Sequence, residues 1–264
     1  MRLKLALFLL CIVAFCARAI GAEPSQLPHN NVKTVNHAFS PGEKLTYEIS
    51  WSTVVTAGIA IMEVKNAPEM EHRQAYHLVS STHSVGMVER FYPVRDTVES
   101  FIDAEELHSI SFSLRERHGK KRRERDMVFD PVHGTVQVTK NGSVETHEAP
   151  ERVQDALSTL YYVRTRNDLV VGKTINVDVH DNGKNWSVEI KAVAREEIRT
   201  PAGKFSTIKV RTYPKYEGVF VNKGEIVIWF TDDTRRIPVL MKSKISIGAI
   251  VATLTELKEG QDKR

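Results

Sequence analysis

The feature that most constrains this chain is a period-two alternation of apolar and polar residues, repeated from one end to the other. Leu45, Tyr47, Ile49 and Trp51 alternate with Thr46, Glu48 and Ser50. Ile110, Phe112 and Leu114 alternate with serines. Ile175, Val177 and Val179, and later Trp186, Val188, Ile190 and Ala192, repeat the pattern. Successive side chains of a strand point to opposite faces, so each run reads as a strand with one dry and one wet face. Asn141-Gly142, Asp181-Asn182-Gly183 and Pro201-Ala202-Gly203 punctuate the runs with residues that accept tight turns. About a dozen strands between residues 43 and 257, joined mostly by short turns, predict a mainly β protein. Its sheet is a large curled antiparallel one, a half-barrel or barrel-like.

Two segments depart from the alternation and predict short helices packed on the sheet. Residues 150–164 place Val153, Ala156, Leu157, Leu160 and Tyr161 on one helical face, with Pro150 suited to a first turn. Residues 85–92 gather Met87, Val88, Phe91 and Tyr92. WFTDDTRRIP at 229–238 pairs two aspartates with two arginines, a combination that can be an active site. It lies between an apolar strand, 226–230, and an alternating one through Val239, Met241, Ser243, Ile245 and Ile247. Asp side chains cap local N–H groups and proline is tolerated at a strand start, so the segment reads as a turn. The resulting division is a leader over 1–22, a disordered or extended lead-in over 23–41, one β-rich domain over 42–258 and a frayed tail over 259–264.

The leader carries Arg2 and Lys4, an apolar run from Leu5 to Ala17, and small residues near Ala19 and Ala22. This is the plan of a cleaved secretory signal, and the run is short for a membrane span of about 20 residues. Both cysteines, Cys11 and Cys16, fall inside it, preceded by Leu10 and Phe15 rather than the small residue that lipid attachment requires. The expected mature chain is periplasmic, not a lipoprotein, and free of disulfides and thiol chemistry. Without the leader the balance is 34 basic against 33 acidic residues. Any electrostatic partner must therefore be met by a local patch.

The strongest such patch is RERHGKKRRER, 115–125, holding Arg115, Arg117, Lys120, Lys121, Arg122, Arg123 and Arg125. Strand residues flank it, so it reads as a hairpin with a basic tip at Gly119. It serves either as a charged edge that resists aggregation or as a contact for an anionic membrane surface or envelope protein. Nucleic acid is not an expected partner behind an export signal. A second set, Trp51, Ile61, Met87, Phe91, Tyr161, Trp186 and Trp229, is either plain core or the lining of a cavity for a lipid or other amphipathic small molecule. The small residues Gly58, Ala60, Gly248, Ala249 and Ala252 would leave room there. No nucleophile elbow, phosphate-cradling loop or zinc-protease motif occurs. The ten histidines are scattered, and His77 and His83 share a strand face too far apart to hold a metal alone. No catalytic residue, metal or cofactor is expected.

Seven stretches, in order, carry a family resemblance: GEKLTYEISW (42–51), the AG-I pattern at 57–59, MVERFYPVRDTVESFID (87–103), QDALSTLYYVR (154–164), LVVGKTINVDVHDNGKNWSVEI (169–190), TPAGKFSTIKV (200–210) and WFTDDTRRIPV (229–239). Together they resemble a bacterial exported family known as domain of unknown function 3108, over roughly residues 39 to 258. The resemblance implies an exported protein of Gram-negative bacteria and brings no catalytic residues with it. By analogy of fold it implies a half-barrel similar to the lipoprotein-localisation carriers. The expected role is non-enzymatic binding or carrying of an amphipathic or lipid-like envelope component. The alternative is a scaffold or assembly factor in outer-membrane or polysaccharide biogenesis, and a cell-envelope hydrolase is the weakest reading.

Overall fold

The computed structural model describes residues 36–52, 55–68, 73–216, 219–220, 226–244 and 248–261. The expected leader and most of the lead-in lie outside the described residues. Among the described residues fifteen strands form one antiparallel sheet. In chain order they are β1 (Lys44–Trp51), β2 (Val55–Asn66), β3 (Ala75–Ser84), then helix α1 (Gly86–Phe91), β4 (Val94–Asp103), β5 (Ser109–His118), β6 (Lys121–Asp130), β7 (Thr135–Lys140) and β8 (Ser143–Glu148). Helix α2 (Ala156–Arg164) follows, then β9 (Thr174–Asp181), β10 (Lys184–Thr200), β11 (Gly203–Tyr216), β12 (Val219–Phe220), β13 (Ile226–Thr231), β14 (Pro238–Lys244) and β15 (Ala249–Lys258).

The path across the sheet is β8-β7-β6-β5-β4-β3-β2-β1-β15-β14-β13-β11-β10-β9, with β12 paired to β11. Each strand lies beside its chain neighbour, except that β1 and β15 meet in the middle and β8 and β9 form the two edges. The Asn141-Gly142 and Asn182-Gly183 turns adopt positive φ at both residues, as a two-residue hairpin of the strand-matching twist requires. Register shifts in β1, β4, β10 and β13 add twist and let so wide a sheet curl. At Gly58 a Cβ would stand 2.6 Å from the His83 carbonyl oxygen, so only glycine permits this approach of β2 to β3.

The curl brings β8 and β9 near each other, yet among the described residues no ladder joins them. The seam is closed in two ways. At one end the segment 153–155 acts as a strap: Ser109 N–H donates to Val153 O (3.2 Å), Gln154 N–H to Asp178 O (2.9 Å) and His180 N–H to Gln154 O (2.8 Å). Along the rest side chains cross. Arg125 of β6 pairs with Asp181 of β9 at 2.6 Å, Asn185 donates to Glu148 O at 2.8 Å, and the rings of His147 and His180 lie 6.0 Å apart.

The strap corrects the expected helix over 150–164. Arg152 sits at φ 56°, outside helical space, and α2 begins only at Ala156. There Asp155 accepts from Leu157 and Ser158 N–H while Ser158 Oγ accepts from Asp155 N–H, a reciprocal cap that fixes the start. Asp155 is fully buried and also accepts from Ser100 Oγ (2.6 Å) and Ser109 Oγ (2.7 Å), which ties the helix to β4 and β5. Burial pushes its carboxyl above the usual range despite these donors.

Helix α2 is buried nearly all round and spans one opening of the curl, touching β3, β4 and β9. Arg164 anchors its end. The guanidinium donates to both Glu43 oxygens at 2.7 Å and to the carbonyls of Ala38 (2.9 Å) and Arg235 (3.1 Å). The last lead-in residues are therefore fixed: Phe39 packs edge-on to Tyr76 and Tyr161. The expected frayed tail is fixed as far as Gln261, whose N–H donates to Pro41 O at 2.9 Å.

Candidate functional site

The residues predicted to line an apolar cavity do not converge. Tyr161 and Trp186 belong to the main core, and the half-buried Trp51, at the far end of β1, packs against its edge. Trp229, between Ile228 and Phe230 on β13, is also buried and belongs to the same core cluster. Its indole N–H donates to Glu196 at 2.7 Å, and the Lys209 ammonium lies 5.0 Å from the ring centroid. Ile61 takes the outer face of β2, opposite the buried Ala60, Met62 and Val64. A shallow crevice beside the 153–155 strap is bordered by His108, Phe129, Thr135 and Val153. Its room is that of about one water molecule, so this crevice does not accommodate an acyl chain.

Met87 and Phe91 are corrected most sharply. The expectation packed them on the sheet, but α1 buries none of its residues, and Met87 is 72% and Phe91 74% exposed. Helix α1 is held by polar contacts instead. Arg95 of β4 forks onto Glu89 at 2.6 and 2.7 Å, Ser84 Oγ donates to Glu89 at 2.5 Å, and Val94 N–H donates back to Ser84 Oγ at 2.8 Å. The Arg95 and Ser84 donors hold the Glu89 carboxyl down at about 2. This leaves the two large apolar side chains presented to solvent, with Val55 also exposed at the same end of the sheet.

The basic hairpin stands beside them. Gly119, at φ 59° in the β5–β6 tip, donates its N–H to Pro93 O at 2.8 Å and lies against the Tyr92 ring just after α1. The seven predicted cations divide by strand parity. Arg125 points inward with Met127 and Phe129, is buried, and belongs to the Arg125–Asp181 seam pair rather than to an external contact. Arg115 pairs with Asp126 at 2.7 Å. Arg123 leans toward Glu116 at 3.9 Å. Arg117, Lys120, Lys121 and Arg122 are exposed and make no ion pair among the described residues. Arg117 and Arg122 are direct cross-strand partners, and Arg95 is the partner of Arg117 on its other side. Arg95 is paired with Glu89, so it is the like charges of Arg117 and Arg122, set directly opposite each other, that favour a counter-anion.

The aspartate pair at 232–233 is a turn, as its sequence indicates. Asp233 accepts from Thr231 Oγ1 (2.6 Å), Arg235 N–H (3.1 Å) and Arg236 N–H (3.2 Å), while Asp232 pairs with Arg195 at 2.7 Å. His77 is engaged by Glu99 at 2.8 Å and stacks on Phe101. One group went unnoticed in the sequence: Asp96, Glu116 and His118 place their ligand-type atoms within 4.8 Å of one another. The signal was present, because Glu116 and His118 continue the inward parity of Phe112 and Leu114.

The fold resembles that of solved proteins. A "beta-barrel-like protein of domain of unknown function DUF1849" from Brucella abortus aligns with a TM-score of 0.57 at 11% identity, over 83% of this chain and 98% of that one. A candidate lipoprotein from Parabacteroides distasonis aligns at 0.38 and 12% identity, over 87% of this chain and 100% of its own. A candidate exported protein with a YmcC-like fold from Bacteroides fragilis aligns at 0.33 and 13% identity, over 86% and 100%. The first supports the curled, barrel-like sheet and nothing about activity. No curated protein matches the chain. The profile of the family described as "Protein of unknown function (DUF3108)" matches residues 46–255, and this chain belongs to that family.

Proposed function

We propose that this chain is a non-enzymatic, exported envelope protein that binds an anionic amphipathic component, and that it does so at the α1 end of the sheet. The observation that supports this reading is the juxtaposition of Met87 and Phe91, nearly three-quarters exposed, with Arg117, Lys120, Lys121 and Arg122, four exposed cations that make no ion pair among the described residues. Apolar groups that enter the acyl boundary, flanked by cations at headgroup level, are the two elements of interfacial lipid binding. Each cation near an anionic surface contributes about 1 kcal/mol. A fully buried Met or Phe side chain adds about 1.5–3 kcal/mol. These sums, less the loss of translational freedom, give reversible attachment suited to a peripheral protein or a carrier. Export rests on the leader plan of residues 1–22, and the periplasm is the matching compartment.

The second reading, a scaffold acting through protein contacts, draws on the burial of nearly every α2 residue in the core. Vesicle flotation separates the two. Phosphatidylcholine vesicles containing phosphatidylglycerol should carry the mature protein upward at low salt, and pure phosphatidylcholine vesicles should not. Charge reversal of Arg117 and Arg122 together, or Met87→Ser with Phe91→Ser, should each cut the floated fraction at least fivefold. Flotation that ignores both pairs of changes would remove the lipid reading in favour of the scaffold.

A further inference from the structure

The trio Asp96, Glu116 and His118 lies at the base of the basic hairpin and has no part in the lipid reading. Asp96 and Glu116 are direct cross-strand partners on β4 and β5, and His118 follows Glu116 on the same strand face. His118 Nε2 stands 2.8 and 3.0 Å from the two Asp96 oxygens and 4.0 Å from Glu116 Oε1.

Glu116 is the unusual member. Its side chain is only 4% exposed, and its two charge contacts, Arg123 Nη1 at 3.9 Å and His118 at 4.0 Å, both lie beyond hydrogen-bond distance. No hydrogen bond reaches this carboxylate among the described residues. A buried charge without close partners is disfavoured, and an equal charge set opposite makes it worse. Two carboxylates and an imidazole that converge with an unmet negative charge are the donor set of a divalent cation.

We infer that Asp96, Glu116 and His118 form a divalent transition-metal site, of the zinc or manganese class, between β4 and β5. The donor set selects the class. Calcium takes six to eight oxygens and gains nothing from an imidazole, and copper(I) prefers sulfur, which the three residues lack. Zinc accepts oxygen and nitrogen at about 2.0–2.2 Å, which in a tetrahedron separates ligand atoms by about 3.4 Å. The spacings about the imidazole nitrogen, 2.8 to 4.0 Å, bracket that value. Three protein ligands leave one position for water or an anionic ligand atom. Arg123, the cross-strand partner of Glu116, and Lys121, that of His118, are the competing cations. Both are exposed and free to turn outward. The ion would join the two strands that carry the basic tip.

The test is isothermal titration of the chelator-stripped mature protein with zinc, then manganese, with cobalt(II) absorption as a coordination probe. The expected result is one ion per chain, at least tenfold weaker binding in Glu116→Gln and in His118→Gln, and unchanged binding in His133→Gln, which lies elsewhere. Far-ultraviolet circular dichroism identifies any variant that fails to fold. Zinc should raise the melting temperature of the wild type and leave that of Glu116→Gln unmoved. Absence of uptake by the wild type at 100-fold molar excess of zinc and of manganese would overturn the inference, as would uptake indifferent to both substitutions. The flotation result stands apart from either outcome, because metal-free protein keeps Met87, Phe91 and the outer cations in place.

Discussion

Replacing Arg164 by methionine takes a guanidinium out of a place that water does not reach. The Arg164 side chain is 1% exposed and that of Glu43 is 5%. Four hydrogen bonds vanish together: two to Glu43, one to Ala38 O and one to Arg235 O. Stacking of the cation at 5.4 Å from the Phe39 centroid and 5.1 Å from that of Tyr161 goes with them. What remains is a carboxylate in the interior without its partner, and breaking a buried pair in this way costs about 3–5 kcal/mol. Domains of ordinary stability have about 5–15 kcal/mol in all, so Arg164→Met should remove about a fifth or more of it. Glu43→Met should be similarly harmful, because it strands the guanidinium. The double substitution should lose much less than the two single losses added, with a coupling of about 2–3 kcal/mol, since neither charge is then left alone. Urea unfolding followed by the emission of Trp51, Trp186 and Trp229 measures all four corners of the cycle. Single losses under 1 kcal/mol, or strictly additive losses, would show that this pair does not hold α2 against the start of β1.

Asp181 ties stability to pH. Burial raises its carboxyl from 3.8 to about 6 against the opposing pull of Arg125. A carboxyl raised on folding contributes stability that is fully present below its unfolded pKa and lost as pH rises through the folded one. About 3 kcal/mol should therefore fade between pH 4 and 6.5, at 1.36 kcal/mol per unit. The urea midpoint of the wild type should fall relative to that of Asp181→Asn as pH rises across that window, and parallel profiles would refute it. Gly58→Ala drives a Cβ toward the His83 carbonyl, 2.6 Å away, and should destabilise by about 1–3 kcal/mol in the same assay. Met87→Ser with Phe91→Ser should leave the urea midpoint within about 0.5 kcal/mol of wild type, because both side chains are already in solvent.

The alternation at Leu45–Trp51 and Trp186–Ala192 disclosed the strands, and their turn residues disclosed the meander, because period two is a local property of backbone geometry. What escaped were facts of parity and of partners. The run of charge groups Arg125 with the tip cations, although its step from Met127 and Phe129 places it inward. Glu116 and His118 were hidden in the same way, since a dense run of charge masks the alternation beneath it. Met87 and Phe91 carry a helical core pattern, yet six residues of helix tied down by Glu89 and Arg95 need no apolar face. The start of α2 was legible as the Asp155–Ser158 cap, three residues apart, and Pro150 drew attention too early. The meeting of β1 with β15 had no local signal, because such pairing is set by the closing of the whole curl.

That meeting has a consequence for how the chain can be cut. Read from β9 to β15 and on from β1 to β8, the sheet is one uninterrupted up-and-down ribbon, and the Gln261–Pro41 hydrogen bond brings the ends of that reading together. The natural order enters this ribbon halfway and returns to its far edge through the strap and α2. Joining 261 to 36 by a short linker and opening the chain after Glu148 would keep every strand pair, leaving α2 as an N-terminal arm. The permuted chain would pair only neighbours in sequence. It should form its sheet faster than the natural chain, which must bring β1 and β15 together across some two hundred residues.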